Sequence, residues 1–168
     1  MKLYVLRHAI AVERGTDPGL KDSDRMLTRE GIRKLKLVIA AMKQLGISFD
    51  LILSSPYLRA LQTAQLTARG LGAKKKLKMT GALKPDSNFR ELIKELQKHR
   101  CSSLVIVGHE PHLSGFISFL LTGKLGMPLN FKKSGLCLLS IDSICYGRCA
   151  TLEWLLTPWQ MECIAASS

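Results

Sequence analysis

Short apolar runs alternating with stretches of helical periodicity constrain this chain more than any other feature. Residues 2–6 read as a buried strand, and the polar segment 11–26, with Gly15, Pro18 and Gly19, reads as a long loop. Thr28 then offers an N-cap, and Ile32, Leu35, Ile39, Met42 and Leu45 recur at helical spacing until Gly46. Leu51-Ile52-Leu53 is a second strand; after it Ser55 can cap a helix reaching about Leu71, with Pro56 in its first turn. Residues 73–87 read as loop with a short strand near 77–79, and Ser87 can cap a helix whose apolar face is Phe89, Leu92, Ile93 and Leu96. Residues 103–107 are a third buried strand, followed by a helix from Pro111 to about Leu121. Residues 135–141 and 149–156 close the series as strands joined by a turn. The alternation predicts the α/β class: a mostly parallel sheet covered on both faces, with the last hairpin adding an antiparallel edge.

At 168 residues without a repeat or a low-complexity linker, the chain is expected to form a single domain over 1–168. An apolar fraction of 46% against 23% charged residues excludes intrinsic disorder. The net charge of +12 invites a nucleic-acid reading. However, residues 1–100 hold 21 basic and 9 acidic side chains and residues 101–168 hold 4 of each. The densest run, Lys74, Lys75, Lys76 and Lys78, has no interleaved aromatic side chain on which a base could stack, so a solvated loop is expected there and nucleic acid is not an expected partner. Five cysteines, an odd number without a C-x-x-C pair, in a chain that runs straight into its first strand, point to free thiols and a cytoplasmic location. The longest uncharged stretch, 111–123, is too short to span a bilayer, so no membrane association is expected.

In an open α/β sheet, ligands bind beyond the carboxyl ends of the strands. The polar residues there are Arg7 and His8 after the first strand, Ser54 and Ser55 after the second with Arg59 one turn on, and His109 after the third. Two arginines and two histidines converging on one edge make an anion-attracting pocket for which a phosphoryl group is the natural guest. A neutral imidazole can attack phosphorus and hold the phosphoryl group covalently, and two guanidiniums can neutralise its oxygens without a metal. The chain has no G-x-x-x-x-G-K-[ST] loop and no clustered carboxylates, so neither a metal nor a cofactor is expected. His99 lies at a helix end, and His109-Glu110-Pro111-His112 is not a zinc-binding H-E-x-x-H, so His99 and His112 are read as structural.

Four segments carry a resemblance: Leu3-Tyr4-Val5-Leu6-Arg7-His8-Ala9; Leu27-Thr28-Arg29-Glu30-Gly31; Leu53-Ser54-Ser55-Pro56-Tyr57-Leu58-Arg59-Ala60-Leu61-Gln62-Thr63-Ala64; and Val105-Ile106-Val107-Gly108-His109-Glu110-Pro111. In order and spacing they resemble the histidine phosphatase (phosphoglycerate-mutase-like) superfamily, and within it the small bacterial phosphohistidine phosphatases. The resemblance implies a three-layer α/β sandwich without an inserted lid. It also implies that His8 is the phosphorylated nucleophile, that Arg7 and Arg59 hold the phosphoryl oxygens, and that His109 contacts the phosphoryl group and stabilises its transition state. Thr28 and Gly31 match a helix-start motif and are read as structural.

Two departures stand out. Ala9 replaces the family's usual glycine, and Leu83-Lys84-Pro85-Asp86 stands where many members carry a carboxylate proton donor. Asp86, Glu13 and Glu110 remain candidates for that acid, none of them assigned. A donor-poor site favours cleavage of a P–N bond, because a protonated imidazole leaves far more easily than an alkoxide. The first reading is therefore a metal-independent phosphatase acting on a phosphohistidine-bearing protein, as a monomer or weak dimer, with basic residues steering an acidic partner. The alternatives are a small-molecule phosphomonoesterase using the same pocket, and a non-catalytic binder of phosphoproteins or nucleic acid.

Overall fold

The computed structural model describes residues 1–167, apart from the side chain of Lys75. Six strands form one sheet: β1 (Lys2–Arg7), β2 (Leu51–Ser54), β3 (Leu77–Met79), β4 (Ser103–Gly108), β5 (Leu136–Ile141) and β6 (Ala150–Leu156), in the order β3-β2-β4-β1-β5-β6. Five helices accompany it: α1 (Arg29–Gln44), α2 (Leu58–Gly70), α3 (Phe89–Gln97), α4 (His112–Thr122) and α5 (Pro158–Ala166). The fold is α/β, as expected, but the sheet is mixed. β3, β2, β4 and β1 run parallel, whereas β5 is antiparallel to both β1 and β6. The correction has a simple cause: β5 pairs with the buried strand β1, which places an antiparallel ladder inside the sheet as well as at its edge.

Alternation along β1 separates two cores. Tyr4 and Leu6 face the layer containing Leu35 and Val38 of α1, Ala60 and Ala64 of α2, and Met161 of α5. Leu3 and Val5 face the layer containing Leu92 and Leu96 of α3 and Phe116 and Leu120 of α4. A strand buried on both faces reads as a continuous apolar run, which is the pattern of both β1 and β4.

Several local expectations need adjusting. Thr28 caps α1 as expected, its Oγ1 accepting from the Gly31 N–H at 2.9 Å. Ser55 does not cap α2, which begins at Leu58 after an N-cap Tyr57 that makes no side-chain cap bond. The Ser55 N–H instead extends the β2–β4 ladder to the Val107 carbonyl, carrying its buried hydroxyl toward the sheet edge. Asn88, not Ser87, caps α3: its Oδ1 accepts from the Glu91 N–H, while the Ser87 hydroxyl donates to the Gly81 carbonyl. α5 was not anticipated, although Thr157 and Gln160 form a reciprocal capping box around Pro158 at its start.

The basic run forms a short 3-10 turn, Lys74–Lys76, leading into β3, and the Lys76 Nζ donates to the Phe49 carbonyl. The Lys75 side chain of that run lies outside the described residues. All five cysteines are free thiols. Among the described residues no helix is long and apolar enough to cross a membrane.

Candidate active site

Topology brings the two histidines together. The connection leaving β1 travels toward β2 and that leaving β4 travels toward β5, and α1 and α4 lie on opposite faces of the sheet. A crevice opens between two neighbouring strands where such connections diverge. The parallel register pairs Arg7 with Gly108, so the next residues, His8 and His109, emerge side by side. Their ring centroids are 5.1 Å apart, and both side chains are buried.

The hydrogen bonds of His8 define its chemistry. Its Nδ1 lies 2.7 Å from the Ala9 carbonyl, an acceptor only, so Nδ1 carries the proton and donates. Nε2 therefore presents its lone pair, which accepts from the Arg59 Nε–H at 3.3 Å. Burial, opposed by the bond to Ala9 and reinforced by the charges of Arg59, Arg7 and Lys133, lowers the His8 pKa to about 3. The ring is neutral at physiological pH and nucleophilic at Nε2.

His109 is held differently. The Ser55 hydroxyl accepts from the Tyr57 N–H at 3.3 Å and shares a hydrogen bond of 2.8 Å with His109 Nε2. The other ring nitrogen, Nδ1, is a buried atom without an internal partner. Burial and then the charge of Arg59 lower the His109 pKa to about 2, so the ring is neutral rather than an imidazolium. Tyr57 packs edge-on against the ring at 5.2 Å.

Arg7 anchors its Nη1 on the Phe131 carbonyl, and its buried Nε has no internal partner. Burial lowers the pKa of both Arg7 and Arg59, with Glu110 opposing the shift at Arg7 and Asp22 opposing it at Arg59; a guanidinium remains charged at neutral pH regardless. Arg7 Nε and His109 Nδ1 are thus two buried polar atoms with no internal partner, in a cluster where the Arg59 Nε–H is aimed at His8 Nε2. Buried polar groups are rarely left so, and a phosphoryl group, which carries oxygens that accept and can hold a proton to donate, suits them.

The acid candidates fare unevenly. Glu13 and Asp86 are exposed, and Asp86 lines a groove with His112 and Phe89. Glu110 is half-buried, close enough for its charge to act on Arg7, and its Oε1 accepts from the Ser114 N–H. The carboxylate that does enter the cluster is Asp22, on a 3-10 turn (Asp22–Asp24) inside the expected loop. Arg59 donates Nη1 to its carbonyl at 2.6 Å and Nη2 to its Oδ2 at 3.0 Å; Arg14 and Arg25 bond its Oδ1. Partial burial raises the Asp22 pKa, but the bonds from Arg14, Arg25 and Arg59 and the Arg59 charge prevail and hold it at about 2. A carboxyl group so acidic is an anchor for Arg59 and a poor proton donor. The sequence reading missed Asp22 because no local pattern links it to Arg59, 37 residues away.

The segment 131–135 closes the edge. Ser134, at φ 62°, directs its N–H to the carbonyls of both Arg7 and His8, and the Gly135 carbonyl accepts the Arg7 N–H. This fixes Lys133 where its charge reaches His8, and Arg7, Lys132 and Lys133 border a cavity of about 790 Å³. His99 accordingly pairs with Glu95 at 3.3 Å away from this cluster, and His112 stacks edge-on against Phe89.

A neutral imidazole at the switch point, with guanidiniums around it and a second imidazole beside it, is an arrangement suited to phosphoryl transfer. The histidine phosphatase superfamily (branch 1) profile matches residues 3–84. An uncharacterized protein of Picosynechococcus sp. is 37% identical over 140 residues, covering 81% of this chain and 82% of that one. The phosphohistidine phosphatase SixA of Escherichia coli is 22% identical over 165 residues, covering 96% and 97%. A solved structure of the protein histidine phosphatase SixA complexed with tungstate superposes with a TM-score of 0.83 at 23% identity, covering 96% and 99%, and the alpha-ribazole phosphatase of Shigella flexneri superposes at 0.65 with 20% identity, covering 94% and 97%. The chain belongs to the histidine phosphatase superfamily, whose membership supports phosphatase activity.

Proposed function

We propose that this protein is a cytoplasmic phosphatase that removes phosphate from phosphohistidine on proteins through a phospho-His8 intermediate, with no metal in the reaction. His8 Nε2 attacks phosphorus as the bond to the substrate imidazole breaks, and the leaving imidazole, already protonated on its other ring nitrogen in the bound substrate, departs as the neutral ring. Arg7, Arg59 and His109 Nδ1 hold the phosphoryl oxygens as charge shifts among them. Water then attacks the phospho-His8 in line, releasing inorganic phosphate and regenerating the neutral ring.

The observation carrying the choice of substrate is the state of Asp22, the carboxylate tied directly into the cluster, held ionised with a pKa of about 2. An alkyl ester requires a strong acid to protonate its leaving alkoxide. In phosphohistidine the bond broken and the bond formed both join an imidazole to phosphorus, so the transfer is nearly balanced in energy and needs far less acid help.

The test is phosphate release, in EDTA, from a phosphohistidine-bearing carrier protein and from an alkyl ester, glycerol phosphate, by the wild type and His8→Ala. Fast release from the carrier, slow release from the ester and loss of both in the variant are expected. Preference for an ester or a sugar phosphate would transfer the site to small-molecule phosphomonoesters, the second reading, favoured by the fold shared with an alpha-ribazole phosphatase.

A further inference from the structure

A cavity of about 790 Å³ opens beside Arg7 and extends to α5. Arg7, Lys132 and Lys133 border one side and Trp159 and Glu162 of α5 the other, with Lys34 of α1 between them. Glu162 is the one acidic residue in this lining. Lys34 is engaged by Glu30 at 2.9 Å, whereas the exposed side chains of Lys132 and Lys133 form no ion pair among the described residues. Trp159 is 71% exposed, the most exposed large apolar side chain of the structure. An exposed indole is the kind of side chain that anchors protein interfaces, and the unpaired basic pair beside it offers charge that an anionic partner complements.

We infer that this face, built from Lys132, Lys133 and Trp159 beside Arg7, is the docking surface for the substrate protein, and that it takes an acidic segment flanking the phosphorylated histidine. The inference rests on the phosphohistidine reading above and names the partner surface it requires. Three observations select this occupant. The cavity is continuous with the phosphoryl site through Arg7. The two free lysines offer positive charge that only an anionic segment complements. The basic pair is also held in register with the nucleophile, because the Ser134 N–H bonds the Arg7 and His8 carbonyls and Arg7 Nη1 bonds the Phe131 carbonyl. A docked chain is therefore positioned relative to His8 by backbone hydrogen bonds, not by a mobile loop. The surface has no aromatic ladder for successive bases: one indole serves a single apolar side chain of a protein.

The test pairs turnover with binding. Lys132→Glu, Trp159→Ala and the double variant are assayed with an acidic phosphohistidine-bearing phosphotransfer domain and with free phosphohistidine. The double variant should raise KM for the domain at least tenfold, leave its kcat within twofold, and leave turnover of free phosphohistidine unchanged. The KM for the domain should rise with ionic strength in the wild type and respond much less in Lys132→Glu. In the His8→Ala background, binding of the phosphorylated domain should weaken by the same factor. An unchanged KM and unchanged binding would overturn the docking surface while leaving the phosphohistidine reaction intact. Equal losses on free phosphohistidine would overturn it too, by placing these residues in the chemistry or the fold. If the wild type binds the domain through Lys132 and Trp159 yet turns over only esters, the docking surface stands and the reaction reading fails. Tighter, Lys132-dependent binding of single-stranded DNA than of the domain would replace the protein partner with a polynucleotide.

Discussion

Arg59 bridges His8 and Asp22: its Nε donates to the nucleophilic Nε2 of His8 at 3.3 Å while its Nη1 and Nη2 hold the carbonyl and carboxylate of Asp22. One rigid guanidinium thus orients the His8 lone pair and fixes itself to the Asp22–Asp24 turn. A lysine carries the charge but not the fork. Arg59→Lys should lower kcat/KM by about 10²–10³, the range seen when one preorganised donor to a transition-state oxyanion is lost. Stopped-flow phosphate release with the carrier protein measures it, and a loss under threefold would mean that Arg59 contributes charge alone.

Asp22→Asn separates anchor from acid. As an anchor, Asp22 restrains Arg59, so kcat on phosphohistidine should persist in the variant; a general acid would cost about 10²–10⁴ in rate on its removal. The folded pKa of Asp22, about 2, lies below the ordinary carboxylate value of 3.8, so the ionised residue contributes stability above pH 3.8 that is lost as pH falls toward 2. Urea titrations of both proteins between pH 5 and pH 2 should show less acid loss in the variant over that window.

The histidines set a second pH dependence. His8 and His109 have folded pKa values of about 3 and about 2 against the 6.5 of an ordinary imidazole. Above pH 6.5 neither state binds a proton at these rings and they add no pH dependence; as pH falls below 6.5 the unfolded chain takes up protons that the folded protein refuses, so stability declines. His109→Asn should be less sensitive to acid between pH 6.5 and pH 4, read from thermal melts. The same shift predicts that kcat/KM shows no acidic limb near pH 6.5 from protonation of free His8, a point read directly from the pH–rate profile.

The helix-start motif is a packing device. A Cβ at Gly31 would sit 2.1 Å from the Ile10 carbonyl oxygen, in the segment that follows His8. Gly31→Ala should destabilise the protein by about 1–3 kcal/mol or more, as overpacking does, and displace the backbone next to the nucleophile. Thr28→Ala, which removes the cap and a long 3.4 Å bond from the hydroxyl to the Ile10 carbonyl but leaves the backbone packing intact, should cost about 1 kcal/mol with little effect on rate. Equal effects of the two on kcat would contradict the separate roles given to them.

What was legible in the sequence was what local pattern encodes. The apolar runs of β1 and β4, the 3.6 periodicity of α1 and the position of Arg7, His8 and His109 at strand ends follow from residues adjacent in the chain. Asp22 stood in a stretch read as loop because its meaning comes from Arg59, Arg25 and Arg14 converging on it. Ser55 looked like a helix cap because a serine before a proline does so locally; only the β2–β4 ladder, which places it against His109, assigns its hydroxyl elsewhere. The internal antiparallel ladder of β5 was hidden for the same reason, since a buried strand has one appearance whichever way its neighbours run. α5 did have a local signal, Thr157-Pro158 with Gln160, which was overlooked beside the strong strand before it.

The central claim is that the lone pair on His8 Nε2 takes the phosphoryl group. Rapid mixing of the enzyme with a ³²P-labelled phosphohistidine carrier, quenched in alkali within milliseconds and mapped by mass spectrometry, tests it directly. The account predicts a transient label at His8, stable to base and labile to acid, and absent from His8→Ala. Turnover without any labelled enzyme, or label on a residue other than His8, would contradict it.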